Sequence, residues 1–253
     1  MRIAALFDIH GNLPALEAVL ADVTREGFDL VVVGGDVVPG PMPDACLRAL
    51  RDLGDQARFI RGNGDVDVLR FRRGEVVRRV PEPFHGSMRW CAHRLDDETA
   101  GWMEAWPLGL TVDVAGPGAV HFCHATPRDE NEIFTVRTPE ERLAPVFEPV
   151  GAAVVVCGHT HMAFERDVGA VRIVNAGSVG MPFGEPGAFW ASVGPDGVTL
   201  RRTEYDRASA MAVATATGYP DVATMRLDDP PDAATMVAAF ERVALGGGAA
   251  DGA

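Results

Sequence analysis

The stretch IAALFDIHGN, residues 3–12, decides how this chain folds. Apolar strand formers run as far as Phe7, and the polar side chains Asp8 and His10 follow before a Gly-Asn pair ends the strand. Side chains alternate along a strand, so Asp8 and His10 are expected to emerge on the same side at its carboxyl end. A carboxylate and an imidazole placed in this way can share one metal ion.

The same arrangement, a buried strand followed by polar side chains, recurs along the chain. The polar residues and the apolar runs that they follow are Asp36 after 30–33, Asn63 after 58–60, His124 after 119–123, and His159 and His161 after 153–157. Helical spacing over 13–26 and 44–53 separates the first three strands, which is typical of an α/β protein. In open α/β sheets, binding sites form outside the carboxyl ends of the strands. The polar residues are therefore expected together at one edge.

The remaining segments predict a helical insertion, a β-rich second half and a helical extension. Helical patterns over 66–80, 87–95 and from 96 or 97 to 106 form an expected insertion over about 66–106, and a further helix is predicted over 139–147. A hairpin over 108–123 and glycine-linked strands between 153 and 203 make the second half mainly antiparallel. Residues 206–245 are expected to form a C-terminal helical extension, and 246–253 a disordered tail.

Composition restricts the class of protein. The 253 residues, 47% of them hydrophobic, suit one large domain with an appended segment. The four cysteines are scattered without metal-type spacing, which favours a reducing compartment. The first strand starts almost at Met1, and no apolar stretch approaches the roughly 20 residues needed to span a bilayer. We therefore expect a cytoplasmic protein with no leader peptide and no membrane partner. The net charge of −13 argues against a long nucleic acid as partner.

Seven side chains form a candidate metal site. They are Asp8, His10, Asp36, Asn63, His124, His159 and His161. All are oxygen or nitrogen donors, and this mixture suits manganese, iron, zinc, cobalt or nickel better than calcium or magnesium. Seven donors are too many for one tetrahedral ion. They are about right for two ions that share a bridging carboxylate and keep positions free for water and substrate.

Taken in order, the motifs resemble those of the calcineurin-like metallophosphoesterase superfamily. The motifs are Asp-x-His, Gly-Asp, Gly-Asn-x-Asp, a lone His and Gly-His-x-His, and residues 40–43 and 175–180 resemble the small prokaryotic phosphodiesterase branch. The resemblance covers residues 1–205 and implies a metallophosphoesterase domain there. It implies a four-layer α-β-β-α sandwich of two mixed sheets with helices on the outer faces. The first half would supply the parallel portion and the second half the antiparallel portion.

The resemblance also implies an activity and a role for each ligand. One ion would be held by Asp8, His10, Asp36 and His161, and the other by Asp36, Asn63, His124 and His159. A hydroxide bridging two ions, most fittingly manganese, would attack a small phosphorylated substrate: a phosphodiester, a nucleotide or a dinucleoside polyphosphate. This reading makes Asp36, Asn63 and His124 catalytic and the protein a phosphoric ester hydrolase. The alternative is a catalytically silent scaffold or binding subunit, against which the complete ligand set argues. A homo-oligomer is left open.

One position departs from the family pattern. Gly64 stands where many members have a histidine that contacts the scissile phosphate and is a candidate acid for the leaving group. Without this histidine, hydrolysis should favour leaving groups that need little protonation. Asn12 and Arg128 are the expected substrate contacts, with a helix cap as the alternative for Asn12. Asp65 either orients a ligand or caps the next helix.

Overall fold

The computed structural model describes residues 1–244, which form ten strands and eight α-helices. The strands are β1 (Ile3–Leu6), β2 (Leu30–Val33), β3 (Ala57–Phe59), β4 (Gly109–Val114), β5 (Gly118–Cys123), β6 (Val154–Cys157), β7 (Ala163–Val168), β8 (Val171–Ala176), β9 (Ala188–Gly194) and β10 (Gly197–Thr203). The helices are α1 (Leu13–Glu26), α2 (Pro43–Arg51), α3 (Asn63–Arg72), α4 (His85–Ala92), α5 (Asp97–Glu104), α6 (Glu140–Phe147), α7 (Arg207–Ala216) and α8 (Ala233–Glu241). The predicted tail, residues 246–253, lies outside the described residues.

The strands form two mixed sheets. The first has the order β10-β9-β1-β2-β3 and the second β4-β5-β6-β8-β7. In the first sheet β1, β2 and β3 are parallel, and the hairpin of β9 and β10 joins β1 in antiparallel fashion. In the second sheet β5, β6 and β8 are parallel.

The prediction of a mainly antiparallel second half holds for four of the six pairings that β4–β10 make, but the centre of the second sheet is parallel. The helix α6 connects β5 to β6. The next two strands, β7 and β8, form an antiparallel hairpin, and its second strand, β8, pairs with β6. Glycine-linked strand patterns look alike whichever of them is the central one, so the sequence does not reveal this order.

Strand β1 shows why its sequence is a continuous apolar run. Ile3, Ala5 and Phe7 point between the two sheets, whereas Ala4 and Leu6 pack against the helices on the outer face of the first sheet. Both faces of the strand are thus buried, as expected for the centre of a parallel sheet covered by helices. The outer face of the second sheet is covered by α6. The predicted four-layer α/β sandwich is confirmed.

The helices between β3 and β4 differ from the predicted boundaries. A helix was expected over residues 66–80, but α3 starts at Asn63 and ends at Arg72. Gly74 has φ 74° and donates its N–H to the carbonyl of Phe71 at 3.0 Å, so the chain turns out of the helix there. The proposed insertion at 66–106 and the boundary at residue 205 stay predictions.

The carboxyl ends of the two parallel sets meet at one edge of the sandwich. Asp36, which follows β2, has a carboxylate oxygen 3.5 Å from Nε2 of His124, which follows β5. This edge therefore gathers the turns that carry the polar residues. Within residues 1–244, no helix combines the length and the apolarity needed to cross a bilayer.

We expect Ile3→Ala to lower the free energy of unfolding by about 2–5 kcal/mol, since the side chain is fully buried between the sheets. Urea denaturation followed by circular dichroism measures this. Val76→Ala is the control, because Val76 is 79% exposed and its truncation should change stability by less than about 0.5 kcal/mol. Equal stabilities of the two variants would contradict the assigned core.

Candidate metal centre

The structure brings all seven candidate ligands to this edge. Asp8, His10 and His161 offer donor atoms within 4.8 Å of one another, and so do Asp8, Asp36 and His124. Asn63 joins the second group, because its Oδ1 lies 3.1 Å from Nε2 of His124. His159 stands beside His124, with ring centroids 5.1 Å apart. The roles of all seven residues as metal ligands stay a prediction.

The carboxylate of Asp36 lies between the two groups. Its Oδ2 is 3.7 Å from Nε2 of His10, and its Oδ1 is 3.5 Å from Nε2 of His124. Oδ1 also accepts a hydrogen bond of 2.7 Å from the N–H of Gly64, which fixes the carboxylate's rotation. One carboxylate thus presents one oxygen to each group of ligands.

Hydrogen bonds to backbone carbonyls set the orientation of three imidazoles. Nδ1 of His10 bonds to Pro39 O at 3.1 Å, Nδ1 of His124 to Gly34 O at 2.8 Å, and Nδ1 of His161 to Met181 O at 2.7 Å. A carbonyl oxygen only accepts, so in each ring Nδ1 carries the proton. Nε2 of each ring then points into the cluster and offers a lone pair when the ring is neutral, which is the usual arrangement of a metal-binding histidine.

The spacing of these donors fits a cation between them. Nε2 of His10 lies 3.0 Å from Nε2 of His161, and when both rings carry a proton only at Nδ1, as metal binding requires, their lone pairs face and repel each other. Two nitrogens bound at 2.0–2.1 Å to one tetrahedral or octahedral ion are about 2.9–3.4 Å apart. A divalent cation would turn this repulsion into two favourable bonds.

Within residues 1–244, two further donor atoms of this cluster are buried without a hydrogen-bond partner. Oδ1 of Asp8 has no hydrogen bond of acceptable geometry, although Nε2 of His161 lies 3.3 Å away. Nε2 of His159 has none either. Buried polar atoms normally have partners, because an unpaired one costs free energy. Both atoms belong to the predicted ligand set, so the residues present fit divalent metal ions.

Burial and close charges shift the pKa values in this cluster. Burial would raise the pKa of Asp8, but the imidazoles of His161 and His124 more than offset this and hold it well below its usual range. Burial and the neighbouring His124 lower the pKa of His159 to about 3. Burial and His161 also lower the pKa of His10. Burial would lower the pKa values of His124 and His161, but the neighbouring carboxylates more than offset this and raise them. Metal binding requires each ring to be unprotonated at Nε2, so a bound metal ion would displace these protons.

The backbone is left-handed at five of the seven candidate ligands. The φ angles are 54° at Asp8, 46° at His10, 51° at Asp36, 70° at His159 and 58° at His161. A non-glycine residue in a sparsely populated region costs of order 1–3 kcal/mol and persists only where its surroundings impose it. Such residues cluster at functional sites, and here they coincide with the donors.

Asp65 is the main polar support of these turns. Its Oδ2 accepts hydrogen bonds from the N–H groups of Asp36 (2.8 Å) and Gly62 (2.9 Å), and its Oδ1 accepts one from Val38 (3.1 Å). The sequence left orienting a ligand and capping the helix as alternatives. Asp65 caps α3 through Gly62 N–H and also holds the backbone of Asp36, whose role as a ligand stays a prediction. Burial and the charge of Asp36 raise its pKa to about 7.

Two further residues position the cluster, although the sequence analysis assigned no role to their side chains. Asn175 donates from Nδ2 to Gly158 O at 2.6 Å, directly before His159. Ser178 donates its hydroxyl to Asp8 O at 2.7 Å. Both are fully buried at the carboxyl end of β8. A polar residue at the end of a buried strand was the available signal, since that pattern had identified the candidate ligands.

The predicted substrate contacts are engaged in other interactions. Oδ1 of Asn12 caps α1 by accepting from Ala15 N at 3.3 Å, and its Nδ2 donates to Gly180 O and to the Tyr205 hydroxyl. Asn12 is fully buried, so a contact with substrate would require these bonds to break. Arg128 lies in the loop after His124, but its guanidinium pairs with Glu132, with Nε to Oε2 at 2.9 Å.

Comparison with solved structures relates this fold to known proteins. A hypothetical protein from Pyrococcus horikoshii superposes with a TM-score of 0.76 at 20% identity, covering 92% of this chain and 99% of that one. A metallophosphoesterase from Sphaerobacter thermophilus superposes with a TM-score of 0.69 at 27% identity, covering 90% and 98%. Both share the sandwich over nearly their full length.

A curated sequence relative shares only part of the chain. The symmetrical bis(5'-nucleosyl)-tetraphosphatase of Pectobacterium atrosepticum is 32% identical over 108 residues, which are 42% of this chain and 37% of that protein. The match therefore spans little more than a third of the relative. The profile of the Calcineurin-like phosphoesterase superfamily domain matches residues 1–193, and this stretch contains the whole ligand cluster. The chain belongs to the calcineurin-like phosphoesterase superfamily.

Proposed function

We propose that this protein is a metal-dependent phosphoesterase with a dinuclear centre, which hydrolyses small phosphate esters. The observation that carries the proposal is the carboxylate of Asp36, which faces one group of ligands with each of its oxygens. The substrate class is a small phosphodiester, a nucleotide or a dinucleoside polyphosphate. The similarity to a tetraphosphatase supports the last of these as a candidate.

The proposal assigns the donors to two divalent ions. Asp8, His10, Asp36 and His161 would hold one ion, and Asp36, Asn63, His124 and His159 the other. Manganese suits this mixture of carboxylate, amide and imidazole donors, as do iron, zinc, nickel and cobalt. When bound, the ions supply a water of lowered pKa as nucleophile and neutralise the negative charge on the phosphoryl oxygens.

The chain's own residues fix this arrangement before substrate arrives. The carbonyl partners of His10, His124 and His161 keep each Nε2 lone pair directed inward. The bond from Gly64 N–H to Asp36 Oδ1 keeps that carboxylate aligned with both groups. Since the donors sit on buried turns of two packed sheets, little rearrangement is needed to bind metal, and preorganised charge of this kind is the main source of catalysis.

The space around position 64 does not admit a side chain that could act as the missing acid. A Cβ on Gly64 would lie 2.6 Å from Val38 O and 2.8 Å from Pro39 Cδ, because the loop with the cis Val38–Pro39 bond fills that space. The imidazole of His85 in α4 is engaged elsewhere, because its Nε2 bonds to Val80 O at 2.9 Å and its ring packs against Phe71. The proposal therefore includes a preference for leaving groups that depart without a proton.

Removing a ligand should abolish turnover. Asp36→Ala and His159→Ala should each lower kcat/KM on bis-p-nitrophenyl phosphate by more than about 100-fold, since losing a residue that only supports a ligand already costs 10–100-fold. Chelation should remove wild-type activity, and Mn²⁺ should restore it. His93→Ala is the matched control, because His93 is an exposed histidine on α4's carboxyl end.

A matrix of metals and substrates tests the substrate class and separates the enzyme from a silent scaffold. Mn²⁺, Ni²⁺, Zn²⁺ and Mg²⁺ are crossed with an aryl monoester, an aryl diester, ATP, a cyclic nucleotide and a dinucleoside tetraphosphate. Turnover of at least one ester that both ligand variants lose supports the proposal. Full activity in either variant refutes it, and metal uptake without turnover of any ester favours the scaffold.

Asp65→Asn should weaken metal binding about 10–100-fold, because an amide places an N–H₂ group against at least one of three backbone N–H groups and loosens the Asp36 turn. Calorimetric titration with Mn²⁺ measures the change in Kd. Asp67→Asn is the matched control: Asp67 is on the same helix and 2% exposed, but it pairs with Arg79. Equal metal affinities of the two variants would contradict a specific role for Asp65.

Activity should fall steeply as the leaving group becomes more basic. A positioned acid contributes about 10²–10⁴-fold, so phenyl and alkyl esters should lag behind p-nitrophenyl esters by at least this range. The measurement is kcat/KM across a series of diesters. Gly64→His should not restore the poor substrates and should lower stability because of the short contacts with Val38 and Pro39. A flat dependence on leaving-group pKa would reveal another proton donor.

A further inference from the structure

The C-terminal segment lies beyond the residues that match the family, yet it reaches the metal centre. The family match ends at residue 193, whereas α7 and α8 follow β10. Near its start, the Tyr205 hydroxyl contacts Nδ2 of Asn12 at 3.1 Å. Near its end, α8 packs against the loop 181–184, which lies beside the turn that carries His161. The segment therefore spans the edge of the sandwich that holds the ligands.

The loop 181–184 holds His161 through three contacts. Met181 O accepts the Nδ1–H of His161 at 2.7 Å, and Phe183 N donates to His161 O at 3.0 Å. The ring of Phe183 also stacks on the imidazole, with centroids 5.1 Å apart and planes 23° from parallel. These contacts set the proton position, the backbone and the ring plane of a residue with φ 58°.

The helix α8 in turn holds the loop. Gly184 N donates to Pro231 O at 2.9 Å, just before the helix begins. From the last turn of α8, the ring of Phe240 lies 6.2 Å from that of Phe183, on which it packs at a tilt. Phe183 is thus in contact with both the ligand His161 and the helix.

The far side of α8 is fixed to the second sheet. Oε1 of Glu241 accepts hydrogen bonds from the hydroxyls of Thr135 (2.6 Å) and Thr138, which are both buried. These threonines end the loop that starts at His124. Arg166 of β7 holds the same loop by donating to the carbonyls of residues 135, 136 and 138 at 3.3, 3.0 and 2.7 Å. One helix therefore joins the segments that follow His124 and His161.

We propose that α8 is a positioning element for the ion held by His161, and that it acts through Phe183. The inference rests on the proposed dinuclear centre. Through Phe183 the contacts of α8 lead directly to His161, whereas its contacts with Thr135 and Thr138 lie at the far end of the loop that starts at His124. The C-terminal segment should thus tune the affinity of one ion while leaving the other nearly unchanged.

The test measures both metal affinities in the full chain. Calorimetric and electron paramagnetic resonance titrations with Mn²⁺ give two values of Kd, and His161→Ala and His159→Ala assign each value to its ion. Phe240→Ala should raise the Kd of the His161 ion about tenfold, the lower end of the range for residues that support a ligand. The Kd of the other ion should stay within about twofold. Phe84→Ala removes an exposed aromatic ring elsewhere and should change neither.

Two substitutions at Phe183 separate positioning from general stability. Phe183→Leu keeps an apolar side chain but loses the flat ring, so it should raise the Kd of the His161 ion. Phe183→Tyr keeps the ring and should leave this Kd at the wild-type value. The imidazole ¹⁵N chemical shifts of His161 in metal-free protein should move in the leucine variant and not in the tyrosine variant. Should Phe240→Ala fail to fold, the Phe183 pair carries the test, because it leaves α8 intact.

The outcomes distinguish the two proposals. Selective weakening of the His161 ion supports the inference. Equal weakening of both ions, or unchanged affinities in folded variants, overturns it and leaves the proposed function standing. A wild-type protein that binds no Mn²⁺, Ni²⁺ or Zn²⁺ would overturn both.

Discussion

Two carboxylates buried among four imidazoles are the constraint to which the rest of this structure is fitted. Asp8 and Asp36 are 0% and 4% exposed, and a buried charge is costly unless it is paired and hydrogen-bonded. Backbone N–H groups satisfy one oxygen of each: Asp8 Oδ2 accepts from His159 N and Asp36 Oδ1 from Gly64 N. The remaining oxygens face imidazole nitrogens. Divalent cations in this space would compensate the charge that the protein alone leaves unbalanced.

The scaffold keeps the donors in place against a local cost. Left-handed φ angles at five candidate ligands cannot be explained by local preference, since such conformations are unfavourable for residues with a Cβ atom. They persist because buried side chains such as Asp65 and Ser178 hold the turns through hydrogen bonds to their backbone. The sheets behind the turns are close-packed and do not yield to relieve the strain. Binding geometry is thus built by folding and not by the ligand.

The superfamily fold does not by itself define the reaction of this chain. Folds host many functions, and chemistry resides in the site grafted on them. Two features of this chain bear on the proposed reaction: the turn at Gly64, where the Val38–Pro39 loop leaves no room for a side chain, and the helix α8, which contacts the loop beside His161. Under the proposed function, the first would restrict how a leaving group is protonated. The second links residues outside the family match to the candidate ligands within it.

Local sequence patterns determined the elements and the candidate ligands. The apolar run of β1 predicted a buried strand, and the polar residues after each strand predicted where the candidate ligands would lie, because both depend on near neighbours in the chain. The early end of α3 was missed although Gly74 was visible, since helical periodicity continues past it. The parallel centre of the second sheet was missed because strand order is not written in strand composition. Only the tertiary structure decided which oxygen of Asp36 faces which imidazole, that Asp65 binds the Asp36 turn, and that α8 lies against Phe183. Contacts of the last kind join residues far apart in sequence, such as Phe183 and Phe240, and they arise from how whole layers pack, which no short stretch of residues specifies.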